Sequence, residues 1–117
     1  MKSYTDLEQS KKLAEFLPLE SADYFHAVDA GIVVTEPYKL NEDDETVITA
    51  YKGAIPCWSL SALLKTLNFP SLTQNKEDEW EVCVFDHDND DYIEKTASNP
   101  VDTCYEMVIR LHELNLL

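Results

Sequence analysis

Glycine is nearly absent: the chain of 117 residues holds two, Gly31 and Gly53. Loops that cradle phosphates need several glycines for close backbone approach, so nucleotide-binding motifs of that kind are excluded. A nucleophile elbow is excluded on the same ground, because Ser59 and Ser61 have no glycine beside them. Cysteine is scarce too. Cys57, Cys83 and Cys104 are odd in number and contain no Cys-x-x-Cys pair, which removes a closed disulfide framework, a zinc ribbon and a thioredoxin-like motif. Basic residues number 9 against 23 acids, for a net charge of -14, which argues against gripping nucleic-acid phosphates or an anionic membrane directly. No apolar run approaches the roughly 20 residues that span a bilayer. The start, Met1-Lys2-Ser3-Tyr4-Thr5-Asp6, lacks the apolar stretch of a signal peptide. The cysteines therefore read as small buried hydrophobes in a reducing compartment, and the chain as cytoplasmic.

What remains is 44% hydrophobic residues, spread along the chain in short periodic groups. A chain of this length buries about two-thirds of its extended surface, enough for one core in a single domain over residues 1–117. Thr5-Asp6-Leu7-Glu8 fits a capping box with Thr5 as cap, opening a helix to about Leu17, where Pro18 stops it. Leu7, Leu13, Ala14 and Leu17 supply its apolar stripe. Asp23–Val28 and Ile32–Thr35 are aromatic and β-branched around Asp29-Ala30-Gly31, a strand or hairpin. Asn41–Glu45 is an acidic turn, and Thr46–Tyr51 another strand. Ser59 then caps a helix with Leu60, Leu63, Leu64 and Leu67 on one face, ended by Asn68 and Pro70.

Thr73–Glu79 reads as a surface loop, Trp80–Phe85 as a strand, His87–Asp90 as a turn and Tyr92–Ala97 as the returning strand. Asn99-Pro100 is the sharpest local signal. Asn caps, Pro takes the first helical position, and Asp102 favours the positive end of the helix dipole. Val101, Cys104, Tyr105, Val108 and Leu111, with Leu114 or Leu116, form the buried stripe of that last helix. This order predicts an α+β fold: a mostly antiparallel sheet covered by three helices, in a two- or three-layer sandwich.

Chemistry is harder to find. In Asp86-His87-Asp88-Asn89-Asp90-Asp91-Tyr92-Ile93-Glu94, three aspartates occupy the first, third and fifth positions of a calcium loop. The sixth position is Asp91 instead of glycine, and the twelfth is Ala97 instead of a chelating glutamate, so an acidic β-turn is the better reading. His26, His87 and His112 are single and scattered. No nucleophile, base and orienting group come together in the sequence, so we expect no enzyme, catalytic residue, metal ligand or cofactor. Tyr24, Phe25, Trp58 and Trp80 are the aromatics available for an interaction surface, although Trp58 also suits a hydrophobic staple at its helix entry.

Two segments, Ile55-Pro56-Cys57-Trp58-Ser59-Leu60-Ser61-Ala62-Leu63-Leu64 and Asn99 to Leu114, resemble small proteins of gut bacteria, their prophages and mobile elements. The closing helix is similar to the end of phage proteins of the ABA-sandwich type, in which helices cover a sheet. The resemblance implies a layered fold and a mobile-element origin, and carries no catalytic residues. Three functions follow as expectations: a non-catalytic module with a protein partner, an acidic mimic of nucleic acid acting on a DNA-binding or restriction protein, or a divalent-metal protein using residues 86–94. The acidity is local. Glu42, Asp43, Asp44 and Glu45 form one cluster, Glu77, Asp78, Glu79 and Glu81 a second, and Asp86, Asp88, Asp90 and Asp91 a third. The last two flank one strand, roughly 20 Å apart, which makes a continuous phosphate-like stripe hard to build.

Overall fold

A computed structural model describes residues 2–33, 36–39, 54–68 and 70–117, and for 29, 38 and 39 the backbone alone. The chain is α+β, and its strands pair antiparallel throughout the described residues. It divides into two compact units, one of residues 4–62 and one of residues 1–3 with 63–117.

In the first unit, helix α1 spans Leu7–Ala14. Its cap is Asp6 instead of the expected Thr5: Gln9 N–H donates to Asp6 Oδ1 at 2.9 Å, and Asp6 N–H donates to Gln9 Oε1 at 3.1 Å. Thr5 is taken by a stronger claim. Its N–H donates to the Trp58 carbonyl at 2.9 Å and its hydroxyl accepts from Trp58 N–H at 3.1 Å, so it is fully buried. The helix ends three residues before Leu17, although Leu17 N–H still reaches the Leu13 carbonyl. Ser10 and Leu13 are its buried residues, while Ala14 faces solvent.

Strand β1 (Tyr24–His26) lies between β4 (Tyr38–Lys39) and β5 (Ile55–Cys57). β2 (Val28–Asp29) and β3 (Ile32–Val33) form the expected hairpin. Ala30 and Gly31 both take a positive φ in the left-handed region. That pair is what a two-residue hairpin turn requires. Ile55–Cys57 is a strand where only a lead-in to a helix was expected, because its pairing partner Phe25 is distant in sequence. The expected acidic turn at 41–45, the strand at 46–51 and residues Val34 and Thr35 lie outside the described residues.

Helix α2 (Leu60–Thr66) follows Ser59, whose Oγ accepts from Ala62 N–H at 3.3 Å. Past its end, Asn68 adopts a left-handed, positive φ. Asparagine commonly stops a helix in this way.

The second unit holds the sheet β6 (Ser71–Gln74), β7 (Trp80–Asp86) and β8 (Asp91–Ala97), in that order, with helix α3 (Pro100–Glu113) packed against β7 and β8. β6 takes in Thr73 and Gln74, the first two residues of what the sequence presents as a surface loop. Only Leu72 of its four residues is apolar and shielded from solvent, so it carries no period of its own and exists by pairing with β7. Alternation puts Trp80, Val82, Val84 and Asp86 on one face of β7 and Glu81, Cys83 and Phe85 on the other. The fully buried Val82 marks the first face as the one beneath α3. Tyr92, Glu94 and Thr96 share the opposite face and are exposed.

α3 starts as the sequence dictates. Asp102 N–H donates to Asn99 Oδ1 at 2.9 Å, and Asn99 Nδ2 donates to Asp102 Oδ2 at 2.7 Å. Its buried residues include Val101, Cys104, Val108 and Leu111, and also Thr103 and Met107, which the apolar reading passed over. Of the two alternatives for the end of the stripe, Leu116 is half-buried and Leu114 exposed. Asn99→Ala should cost about 1 kcal/mol. Urea denaturation of the variant checks this, and an unchanged midpoint would mean the cap contributes nothing.

Candidate functional site

In the first unit the polar residues tie the structure together. Trp58 N–H donates to Thr5 Oγ1, leaving that hydroxyl proton for Ser10 Oγ at 2.8 Å, and Ser10 in turn donates to the Thr5 carbonyl at 3.3 Å. The same carbonyl lies 2.9 Å from His26 Nε2. A carbonyl only accepts, so Nε2 carries a proton, and Nδ1 is buried with no hydrogen-bond partner among the described residues. Asp23 holds the entry to α2, accepting from Ser59 N–H at 2.9 Å on Oδ1 and from Ser59 Oγ on Oδ2. Ser59 thus gives its proton to a carboxylate and its oxygen to a helix cap. Its hydroxyl serves structure.

The cysteines follow their burial. Cys57 and Cys104 are fully buried, as expected. Burial, helped by the Asp23 charge, pushes the Cys57 thiol up to about 12, and burial pushes Cys104 up to about 11. Cys83 departs from expectation: strand alternation sets it on the outward face of β7, half-buried. Its thiol is raised as well, by desolvation and then by Glu94 and Glu81. All three thiols are free. A native titration with an aromatic disulfide at pH 8 should therefore detect one thiol, Cys83, and three after unfolding. Rapid reaction of two or three in the native protein would contradict these burials.

The acidic segment 86–94 forms the turn between β7 and β8 and the first half of β8. Asp86 is buried and committed there. Its Oδ1 accepts from Asp88 N–H at 3.0 Å and Asn89 N–H at 3.4 Å, and its Oδ2 from Asn89 Nδ2 at 2.6 Å. These bonds, the Asn89 side chain first, hold its carboxyl below the ordinary value. Among the described residues, no three His, Cys, Asp or Glu side chains gather as a metal site would need.

The aromatics singled out in the sequence do not form a surface. Phe25 and Trp58 are buried, and Trp58 Nε1 donates to Ser21 Oγ at 3.0 Å. Tyr24 and Trp80 are half-buried. The outward aromatics are others. Phe85 packs edge-on against Tyr92, with ring centroids 5.0 Å apart, and against His87 at 4.7 Å. Tyr92 is 63% exposed.

Beside this cluster lies a groove of about 620 Å³. Its size falls within the range of about 300–1,000 Å³ usual for binding pockets. Leu67, Leu111, Leu116 and Leu117 supply apolar walls, and Asp86, His87 and Asp88 its polar end. Among the described residues, the lining contains no lysine or arginine. Both faces of β7 reach it: Cys83 and Phe85 from the outward face, Val84 and Asp86 from the inward one. Residues of opposite faces share a cavity when that cavity wraps the edge of the strand. The register explains how the edge comes free. β6 pairs with β7 from Gln74↔Trp80 to Ser71↔Cys83 and stops, whereas β8 continues alongside to Asp86↔Asp91. The next residue of β6 is Pro70, which has no N–H to extend the ladder. Among the described residues, Val84, Phe85 and Asp86 are therefore paired on the β8 side alone. Sequence reasoning missed this site because it missed β6; Pro70 was the signal.

The chain matches no protein-family model, no curated protein and no solved structure. Among the described residues, no helix is long and apolar enough to cross a membrane.

Proposed function

We propose that this chain is a small non-catalytic protein-binding module whose contact surface is the groove at the β7 edge. The observation that carries the reading is the cavity that wraps Val84–Asp86, apolar in its walls and bordered by Phe85 and the exposed Tyr92. Aromatic side chains beside a desolvated pocket are the usual anchors of protein contacts. The polar side chains of the first unit, engaged in capping and strand tying, are consistent with a role without catalysis. A cytoplasmic setting and the mobile-element origin suggested by residues 55–64 and 99–114 belong to the same proposal.

Mimicry of nucleic acid draws less support. Eight of the twelve acids of the second unit gather at the two ends of β7, which at strand rise lie roughly 20 Å apart. Cys83 and Phe85 stand between them, with Glu94 opposite Cys83 as the one acid of β8 on that stretch of the face. A photoreactive phenylalanine analogue placed at Tyr92 tests the reading in cells, with the same analogue at the exposed Glu106 as control. We expect discrete protein adducts from position 92 and none from 106. No adduct from either position, or the same pattern from both, would count against a protein-binding groove.

A further inference from the structure

The free edge says more than that a partner binds; it specifies how. We infer that the partner supplies a short extended segment, positively charged, which adds as a strand beside Val84–Asp86, beyond the end of β6. This rests on the groove being the binding surface, and adds the mode of binding and the chemistry of the occupant.

Among the described residues, three residues of β7 have a strand neighbour on the β8 side alone. They present an open edge about 10 Å long. Backbone N–H and C=O groups are obligatory hydrogen-bonding partners, and an open strand edge is satisfied best by another strand. Peptide recognition by strand addition draws its affinity from these main-chain bonds and its specificity from alternate side chains. Here the alternation assigns the chemistry. A residue set opposite Val84 would share the inward face and meet Leu111 and Leu116, so it must be apolar. A residue set opposite Phe85 would share the outward face with the Phe85–Tyr92 pair and lie near Asp88. An aromatic face beside a carboxylate, with no lysine or arginine among the described lining residues, fits an arginine or lysine through cation–π and charge attraction. The occupant is thus an extended segment in which apolar and basic residues alternate.

The probes are three capped pentapeptides: valine–arginine–valine–arginine–valine, its glutamate counterpart, and an N-methylated arginine form lacking backbone donors. Titration into the isotope-labelled full chain, followed by amide NMR, reads both affinity and place. The arginine peptide should shift Val84, Phe85 and Asp86 and bind at least tenfold tighter than the glutamate peptide, and N-methylation should abolish binding. Asp88→Lys, at an exposed turn position, should weaken the arginine peptide three- to tenfold while leaving the spectrum of the free protein folded. Binding insensitive to N-methylation, shifts centred on Glu94 and Thr96, or no binding by any peptide would overturn strand addition. Shifts at 84–86 that depend on dilution of the protein instead of peptide would assign the edge to a second copy and overturn it as well. Each of these outcomes is distinct from the crosslinking result, which tests the groove without regard to mode.

Discussion

Trp58→Ala should destabilise the chain by about 3–5 kcal/mol, a large share of the roughly 5–15 kcal/mol that holds a small domain. Trp58 is the largest of the fully buried side chains, so its removal leaves a void that neighbours fill only partly. It also takes away the indole N–H that donates to Ser21 Oγ. Its backbone bonds with Thr5 run through main-chain atoms and survive the substitution, so the loss measures packing more than strand tying. Trp58→Phe keeps much of the ring volume and should recover over half of the loss. Urea unfolding followed by far-UV circular dichroism compares the three proteins. A loss under about 1 kcal/mol for the alanine variant would place Trp58 outside the core.

The second large effect is Met107→Ala, expected at about 2–5 kcal/mol. Met107 is fully buried on α3, between Cys104 and Leu111 on the helix face that packs toward β7 and β8. Met107→Leu conserves volume and should cost less than about 1.5 kcal/mol. Equal effects of the two substitutions would mean that the cost comes from something other than a cavity. Since Leu111 also lines the groove, Met107→Ala has a further use: it lowers stability one helical turn away without altering the lining itself.

How legible each part was depended on where its cause lies in the chain. Asn99 and Pro100 start α3 through local geometry, a cap and a fixed φ, and the sequence is read there to the residue. The turn at His87–Asp90 was equally plain, because aspartate and asparagine bond their own backbone, as Asp86 does. Ser59 capped its helix as expected, yet nothing near it announced that Asp23, 36 residues earlier, would hold it. Thr5 shows how a distant claim overrides a local one. Thr5 and Asp6 both suit a helix cap, and pairing with Trp58 decided between them. β6 was invisible for a related reason, since Ser71-Leu72-Thr73-Gln74 holds one inward apolar residue and becomes a strand only beside β7. The groove inherits that invisibility. It is made by the difference in length between two strands, a property of register that no single segment carries.

The central claim is that the edge of β7 stands open from Val84 to Asp86, and native-state amide hydrogen exchange tests it most directly. Trp80–Cys83 have strands on both sides, so their amides should exchange slowly on either side of β7. Beyond Cys83, the amides that point away from β8 should exchange faster by orders of magnitude, while those that point toward β8 stay protected. Uniform protection along Trp80–Asp86 would show that the edge is already covered, and would contradict the account.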